Sequence, residues 1–305
     1  MSLNSVALSN ATLSRVPLRG AALGGAALGG VTDNLPAVEA DLNYLAPTGE
    51  RPRSYAYEPP ADTPRTTAVN VPFKVSIRDG RPIAAELTLD RHGFALVGHR
   101  SGVRDFYDDD EIKSVYYAEA EHLLKRLTGA SRVFVFDHAT RRRIPGADDR
   151  RGGVRQPVTR VHVDHTARSG PQRVRDLLPE EAAELLRGRV QVVNLWRPIR
   201  GPLLDAPLAV CDARTVEPED LVASDLIYPH RVGETYSVTH RPSHRWYYFS
   251  QMRADEVLLL KCYDSKIDGR ARFAPHSAFV DPTTPPGASP RESIELRTLV
   301  FHATQ

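Results

Sequence analysis

The chain has 305 residues, 41% of them hydrophobic, enough to bury a substantial core in one large domain or two small ones. Forty basic residues against thirty-eight acidic ones leave a formal charge of +2, too balanced for the concentrated basic face of a nucleic-acid binder. No apolar run approaches the ~20 residues that span a bilayer, so a membrane-spanning protein is not expected.

Only five of the forty basic residues are lysines, an arginine bias that genome composition explains as easily as function. The two cysteines, Cys211 and Cys262, are isolated and fit neither a zinc nor a disulfide spacing, which favours a reducing cytoplasm. Residues 1–68 start with small residues, including the run AALGGAALGG from Ala21 to Gly30, and continue into Pro-rich stretches such as Tyr57-Glu58-Pro59-Pro60. The glycine content and the missing basic start argue against a signal peptide, and an extended, weakly structured segment is expected.

Residues 69–305 are expected to form a single domain. Val71–Ile77 and Ile83–Leu89 flank Arg78-Asp79-Gly80-Arg81, and a D-G pair between β-rich runs signals a hairpin. Gly93–Gly98 adds a strand. Asp108-Asp109-Asp110-Glu111 opens a helix with acids at its positive end, Ile112, Tyr116, Ala120, Leu123 and Leu127 form its apolar stripe, and Gly129 stops it. Arg132–Asp137 reads as a buried strand, followed by a polar loop over 141–155 that contains Gly152-Gly153. Helical support is therefore expected over about 108–128, and again over about 171–187, where Glu180 and Glu181 open a short helix that ends near Gly188.

From Thr159–Asp164 onward the texture is mostly β: Val190–Trp196, Leu208–Cys211, Thr235–His240, Arg245–Gln251, Glu256–Tyr263, Arg272–Phe279 and Glu292–Phe301, punctuated by Pro and Gly. The pattern is mainly β with flanking helices, a barrel or sandwich without internal repeats.

The chemistry concentrates in Val161-His162-Val163-Asp164-His165. Residues two apart in a strand share a face, so His162 and Asp164 project together. A bulge would bring His165 forward in place of His162. His276, in an apolar stretch, is the candidate third ligand, and two His with one carboxylate on one face is the signature of non-haem Fe(II) oxygenases. Fifteen residues later comes Arg291-Glu292-Ser293. An oxygenase using 2-oxoglutarate needs a fixed cation for the far carboxylate, and Arg supplies a planar fork. Ser293 would donate a second hydrogen bond. Arg297 is the rival anchor, with a salt bridge to Glu295 or another neighbouring acid as its alternative. Zn(II) would accept the same ligands, so a metal-dependent hydrolase or isomerase without 2-oxoglutarate is the competing reading. No Gly-x-Ser-x-Gly elbow and no Gly-rich cofactor loop is present.

Asn194-Leu195-Trp196-Arg197-Pro198, His244-Arg245-Trp246-Tyr247-Tyr248, Tyr263-Asp264-Ser265 and Pro290-Arg291-Glu292-Ser293-Ile294-Glu295-Leu296-Arg297 resemble the asaB-type hydroxylase/desaturase family. The likeness runs from about Val71 to His302. It implies a double-stranded β-helix (jelly-roll or cupin-like) barrel that binds Fe(II), 2-oxoglutarate and O₂ and hydroxylates or desaturates a small secondary metabolite, releasing succinate and CO₂. Within that reading Asn194 is offered to the co-substrate, while Trp196 and Tyr247 are candidate substrate-site residues or plain core. No nucleic-acid or membrane partner is expected, and a homodimer is left open.

Overall fold

A computed structural model describes residues 34–147 and 155–303. The expected loop glycines Gly152 and Gly153, and the leader through residue 33, lie outside the described residues. Among the described residues there are fourteen strands: β1 (Ala37–Leu45), β2 (Arg53–Tyr55), β3 (Asn70–Asp79), β4 (Phe94–Gly98), β5 (Arg132–Arg142), β6 (His162–Val163), β7 (Val190–Pro198), β8 (Leu208–Cys211), β9 (Leu221–Ile227), β10 (Val232–Val238), β11 (Trp246–Tyr248), β12 (Glu256–Asp264), β13 (His276–Ala278) and β14 (Glu292–Phe301). They form a nine-stranded sheet in the order β1-β3-β11-β8-β13-β6-β10-β9-β2 and a five-stranded sheet in the order β4-β12-β7-β14-β5.

The five-stranded sheet buries apolar side chains on both faces. One face, with Val193, Leu195, Leu259, Leu296 and Val300, packs against a helix. That helix is built from α1 (Asp109–Glu111), a π-type turn (Ile112–Tyr116) and α2 (Tyr117–Thr128), and it buries Ile112, Tyr116, Ala120, Leu123 and Leu124. Its ends follow the sequence reading. The Asp108 carboxylate accepts hydrogen bonds from the backbone N–H groups of Asp110 and Glu111, and Gly129 takes the left-handed conformation that ends the helix. The other face contributes Phe94, Trp196, Leu258 and Leu260 to a second cluster with Leu208, Val210 and Tyr247 of the larger sheet. Each such side chain, taken fully from water, contributes roughly 1.5–3 kcal/mol. Two short helices, α3 (Ser169–Leu177) and α4 (Ala182–Leu185), pack Val174 and Ala182 onto a third cluster with Val190, Val192 and Phe301.

Two expectations are corrected. The 1–68 segment is not weakly structured throughout: β1 pairs along its whole length with β3, and Val38, Ala40, Leu42 and Tyr44 alternate into the core. That period-two pattern is the strand signal, here passed over because it lies between a Gly-rich leader and Pro-rich loops. The hairpin at Asp79-Gly80 does not form. Gly80 has φ −77°, whereas a two-residue hairpin turn needs positive φ. Pro82 instead lies in a 3₁₀ turn (Arg81–Ile83), Ile83 and Leu87 are buried as anchors, and β3 pairs with β1 and, in parallel, with β11.

Candidate metal centre

His162, Asp164 and His276 come together from β6, the bend that follows it, and β13. Backbone pairing sets His276 directly opposite His162, with ring centroids 4.5 Å apart. Asp164 lies just past the strand end, and its Oδ1 is 3.4 Å from His162 Nε2. One ligand atom from each of the three falls within 4.8 Å of the others. Ligands approach a divalent transition metal at about 2.0–2.2 Å, so the cluster can converge on a single ion.

The histidine tautomers support that function. His162 Nδ1 is 2.9 Å from the Arg160 carbonyl, and His276 Nδ1 is 3.0 Å from the Ala274 carbonyl. A carbonyl only accepts, so each Nδ1 carries the proton and each Nε2 keeps its lone pair for a metal. Burial, then the neighbouring His276, pushes His162 down to about 4, so its ring is neutral at physiological pH.

Asp164 is held by two residues paired across β7 and β14. Asn194 Nδ2 donates to Asp164 Oδ2 at 2.8 Å and Arg297 Nε donates to the same oxygen at 3.1 Å. Burial alone would raise this carboxyl, but the Arg297 charge and then His162 override it and hold it well below the usual carboxylate range. With Oδ2 occupied, Oδ1 is the oxygen turned toward the histidines. Among the described residues no donor reaches the buried Asn194 Oδ1, as a site lacking its ligands would leave it.

Arg297 also ion-pairs with Glu295 at 2.6 Å and Asp137 at 2.8 Å, so its guanidinium is committed to acids. Arg291 differs. Its side chain is 2% exposed, its Nε donates to Ser293 Oγ at 3.0 Å, and its Nη1 donates to the Ala206 carbonyl at 2.9 Å. The guanidinium stacks 4.8 Å above the Trp196 indole. Asp205 is taken by Arg143 and by the Arg291 backbone N–H, and among the described residues no carboxylate ion-pairs with the Arg291 side chain. Burial, then the charge of Arg141, pushes Arg291 down to about 9.

The remaining candidates separate. Asn194 hydrogen-bonds Asp164, a contact that its expected role toward a co-substrate did not include. Trp196 floors Arg291. Tyr247 is fully buried in the apolar cluster, 5.8 Å from the Phe94 ring. His165 stays outside the triad, with Nδ1 3.3 Å from Ser169 Oγ. Arg141 and Arg160 were missed. Arg141 is the cross-strand partner of Ser293, and Arg160 is two residues before His162 in the same extended stretch. The second of these was open to the alternation argument.

A family model described as an oxidoreductase/YMDC permease-like domain matches residues 42–301. Hydroxylase/desaturase efuI from Hormonema carpetanum is 36% identical over 88% of this chain and 97% of its own length. The Fe(II)/2-oxoglutarate-dependent dioxygenase nvfI from Aspergillus novofumigatus is 37% identical over 75% of this chain and 84% of its own. The chain belongs to the asaB-type hydroxylase/desaturase family. A solved structure of the iron and alpha-ketoglutarate-dependent endoperoxidase NvfI superposes with a TM-score of 0.80 at 32% identity, covering 88% of this chain and 99% of that one. The fold of this family member is accordingly the double-stranded β-helix, and the protein is an oxidoreductase. Among the described residues no helix is long and apolar enough to cross a membrane.

Proposed function

We propose that this family member is an Fe(II)/2-oxoglutarate-dependent oxygenase of a small-molecule substrate, with His162, Asp164 and His276 as iron ligands and Arg291 and Ser293 as the seat of the 2-oxoglutarate tail. The observation that supports the seat is the buried Arg291 guanidinium without an acid. A buried charge of that kind costs several kcal/mol unless a counter-charge arrives, and a dicarboxylate brings one. A hydrolase or isomerase on the same metal would have no use for it. Arg297 is excluded as the tail anchor on this reading, because Asp164, Glu295 and Asp137 already occupy it.

The bound iron would supply O₂ activation and hydrogen-atom abstraction. The residues supply position. Nδ1 protonation aims both imidazoles, Asn194 and Arg297 fix Asp164, and Trp196 with Ser293 holds the Arg291 fork in plane. Residues 69–305 act as the catalytic domain in this reading, with β1 and β2 completing its larger sheet. The reading also places the enzyme in the cytoplasm, without nucleic-acid or membrane partners.

Anaerobic titration of the protein with Fe(II) and then 2-oxoglutarate tests it. Chelation at an open ferrous site gives a visible charge-transfer absorption, expected in the wild type and absent from His276→Ala and Arg291→Ala. Iron binding without that absorption in the wild type would remove 2-oxoglutarate from the proposal.

A further inference from the structure

Among the described residues, Arg291 is one of three arginines at the site that ion-pair with no acid. Arg297 is fully compensated by Asp164, Glu295 and Asp137. Arg141 donates through Nη1 to the Gln156 carbonyl at 2.7 Å, and among the described residues neither it nor Arg160 ion-pairs with any carboxylate. Among the described residues, Arg160 Nη1 is buried with no hydrogen-bond partner. An orphaned guanidinium nitrogen in an interior is uncommon and expensive.

The placement of Arg160 is not incidental. Residues two apart along an extended chain share a face, so Arg160 lies on the His162 side. Val161, between them, turns the other way into the cluster with Leu42 and Trp246. The Arg160 charge is felt by His162, Asp164 and Arg141. Arg141 in turn stands across from Ser293 and opposes Arg291. Arg141, across the strand pair from Ser293, and Arg160, two residues before His162, thus add two further guanidinium groups without an ion pair to the one at Arg291.

The charges do not close with the co-substrate alone. On the reading above, Fe(II) and the guanidinium groups of Arg141, Arg160, Arg291 and Arg297 carry six positive charges, against five negative ones from Asp137, Asp164, Glu295 and the two carboxylates of 2-oxoglutarate, which leaves one positive charge at the site unmatched. We propose that Arg160, with Arg141 beside it, binds an anionic group of the primary substrate, so that the enzyme oxidises a carboxylic acid rather than its neutral ester. This inference rests on the function proposed above. It assigns a substrate class to a site whose metal and co-substrate seats are built from other residues. The carboxylate would complete the Arg160 fork and anchor the substrate skeleton within reach of the triad, which fixes the carbon presented for oxidation.

The test is calorimetric titration of the anaerobic Fe(II)- and 2-oxoglutarate-loaded protein with matched pairs of probes: 4-phenylbutyrate, decanoate and abietate, each against its methyl ester. A charge-assisted hydrogen bond predicts at least one acid bound about tenfold or more tighter than its ester. Arg160→Gln is expected to abolish that preference while leaving 2-oxoglutarate affinity, read from the charge-transfer absorption, within about twofold of wild type. Arg160→Lys keeps the charge and loses the fork, so it retains a reduced preference and serves if the Gln variant does not fold. The proposal is overturned if no acid binds better than its ester, or if the preference survives in Arg160→Gln. It is equally overturned if Arg160→Gln weakens 2-oxoglutarate, since the guanidinium would then belong to the co-substrate. A missing charge-transfer absorption in the wild type would instead count against the underlying function, so the two failures are separable.

Discussion

Arg291 makes an unusual demand on the apo protein, and Arg291→Met measures it. Burial and Arg141 depress the guanidinium from its ordinary value above 12 to about 9. The sign follows from linkage. A base depressed in the folded state binds fewer protons than in the unfolded chain between the two values, so the penalty is present in full below about 9 and is relieved only above it. At pH 7 the group is charged and the penalty is on the order of 4 kcal/mol, at about 1.4 kcal/mol per pH unit. Met fills much of the same volume over Trp196 without a charge. Against this gain stands the Ala206 carbonyl, which loses its donor at a cost of about 1–3 kcal/mol. The metal-free variant should therefore be more stable than wild type by about 1–3 kcal/mol in urea unfolding at pH 7. It should also lose the stabilisation that 2-oxoglutarate gives the wild-type holoenzyme. A variant that is less stable than wild type and still stabilised by 2-oxoglutarate would refute the argument, because Arg291 would then be a structural cation.

Arg297→Met should act in the opposite direction. It strands Asp164 and Glu295 and costs about 3–5 kcal/mol in the metal-free protein, a loss that urea unfolding detects and that should shrink at acid pH as the Asp164 carboxyl protonates. Asn194→Ala frees Asp164 Oδ2 from one of its two donors and should weaken Fe(II) binding about 10- to 100-fold in an anaerobic chelator competition, with little change in 2-oxoglutarate affinity once iron is saturating. Gly170→Ala should lower the melting temperature. A Cβ at that position would lie 2.5 Å from the Tyr263 ring, and about 1–3 kcal/mol of overpacking outweighs the gain of about 1 kcal/mol in helix propensity.

What the sequence disclosed followed regular periodicity and short spacing. The clustering of His162, Asp164 and His276 was legible from a two-residue step and from chain order, and the helix before Gly129 from its stripe and its caps. β9 was not legible, because Leu221–Ile227 mixes half-buried positions that give neither a period of two nor a solid apolar run. The hairpin was misread because a D-G pair marks a turn only where the glycine takes positive φ, whereas here Gly80 has φ −77° and its N–H donates to the Tyr248 carbonyl where β3 runs beside β11. The unpaired state of Arg141 and Arg160 was invisible for another reason. In a chain with so many arginines, composition does not distinguish a paired guanidinium from a lone one; only the placement of acids in three dimensions does.

The same contrast explains how a carboxylate outside a regular strand can still be positioned. β6 supplies two residues of pairing, and Asp164 falls beyond them. Its orientation comes instead from the opposite sheet, where Asn194 and Arg297 are a directly paired couple on neighbouring strands, each anchored by an apolar flank. β7 and β14 are among the most fully buried strands, so this couple moves little. Precision at the metal is thus imported from the rigid sheet to the irregular one. For that reason the polar residues of Asn194-Leu195-Trp196 and Glu295-Leu296-Arg297 share one face while Leu195 and Leu296 hold the other against the helix.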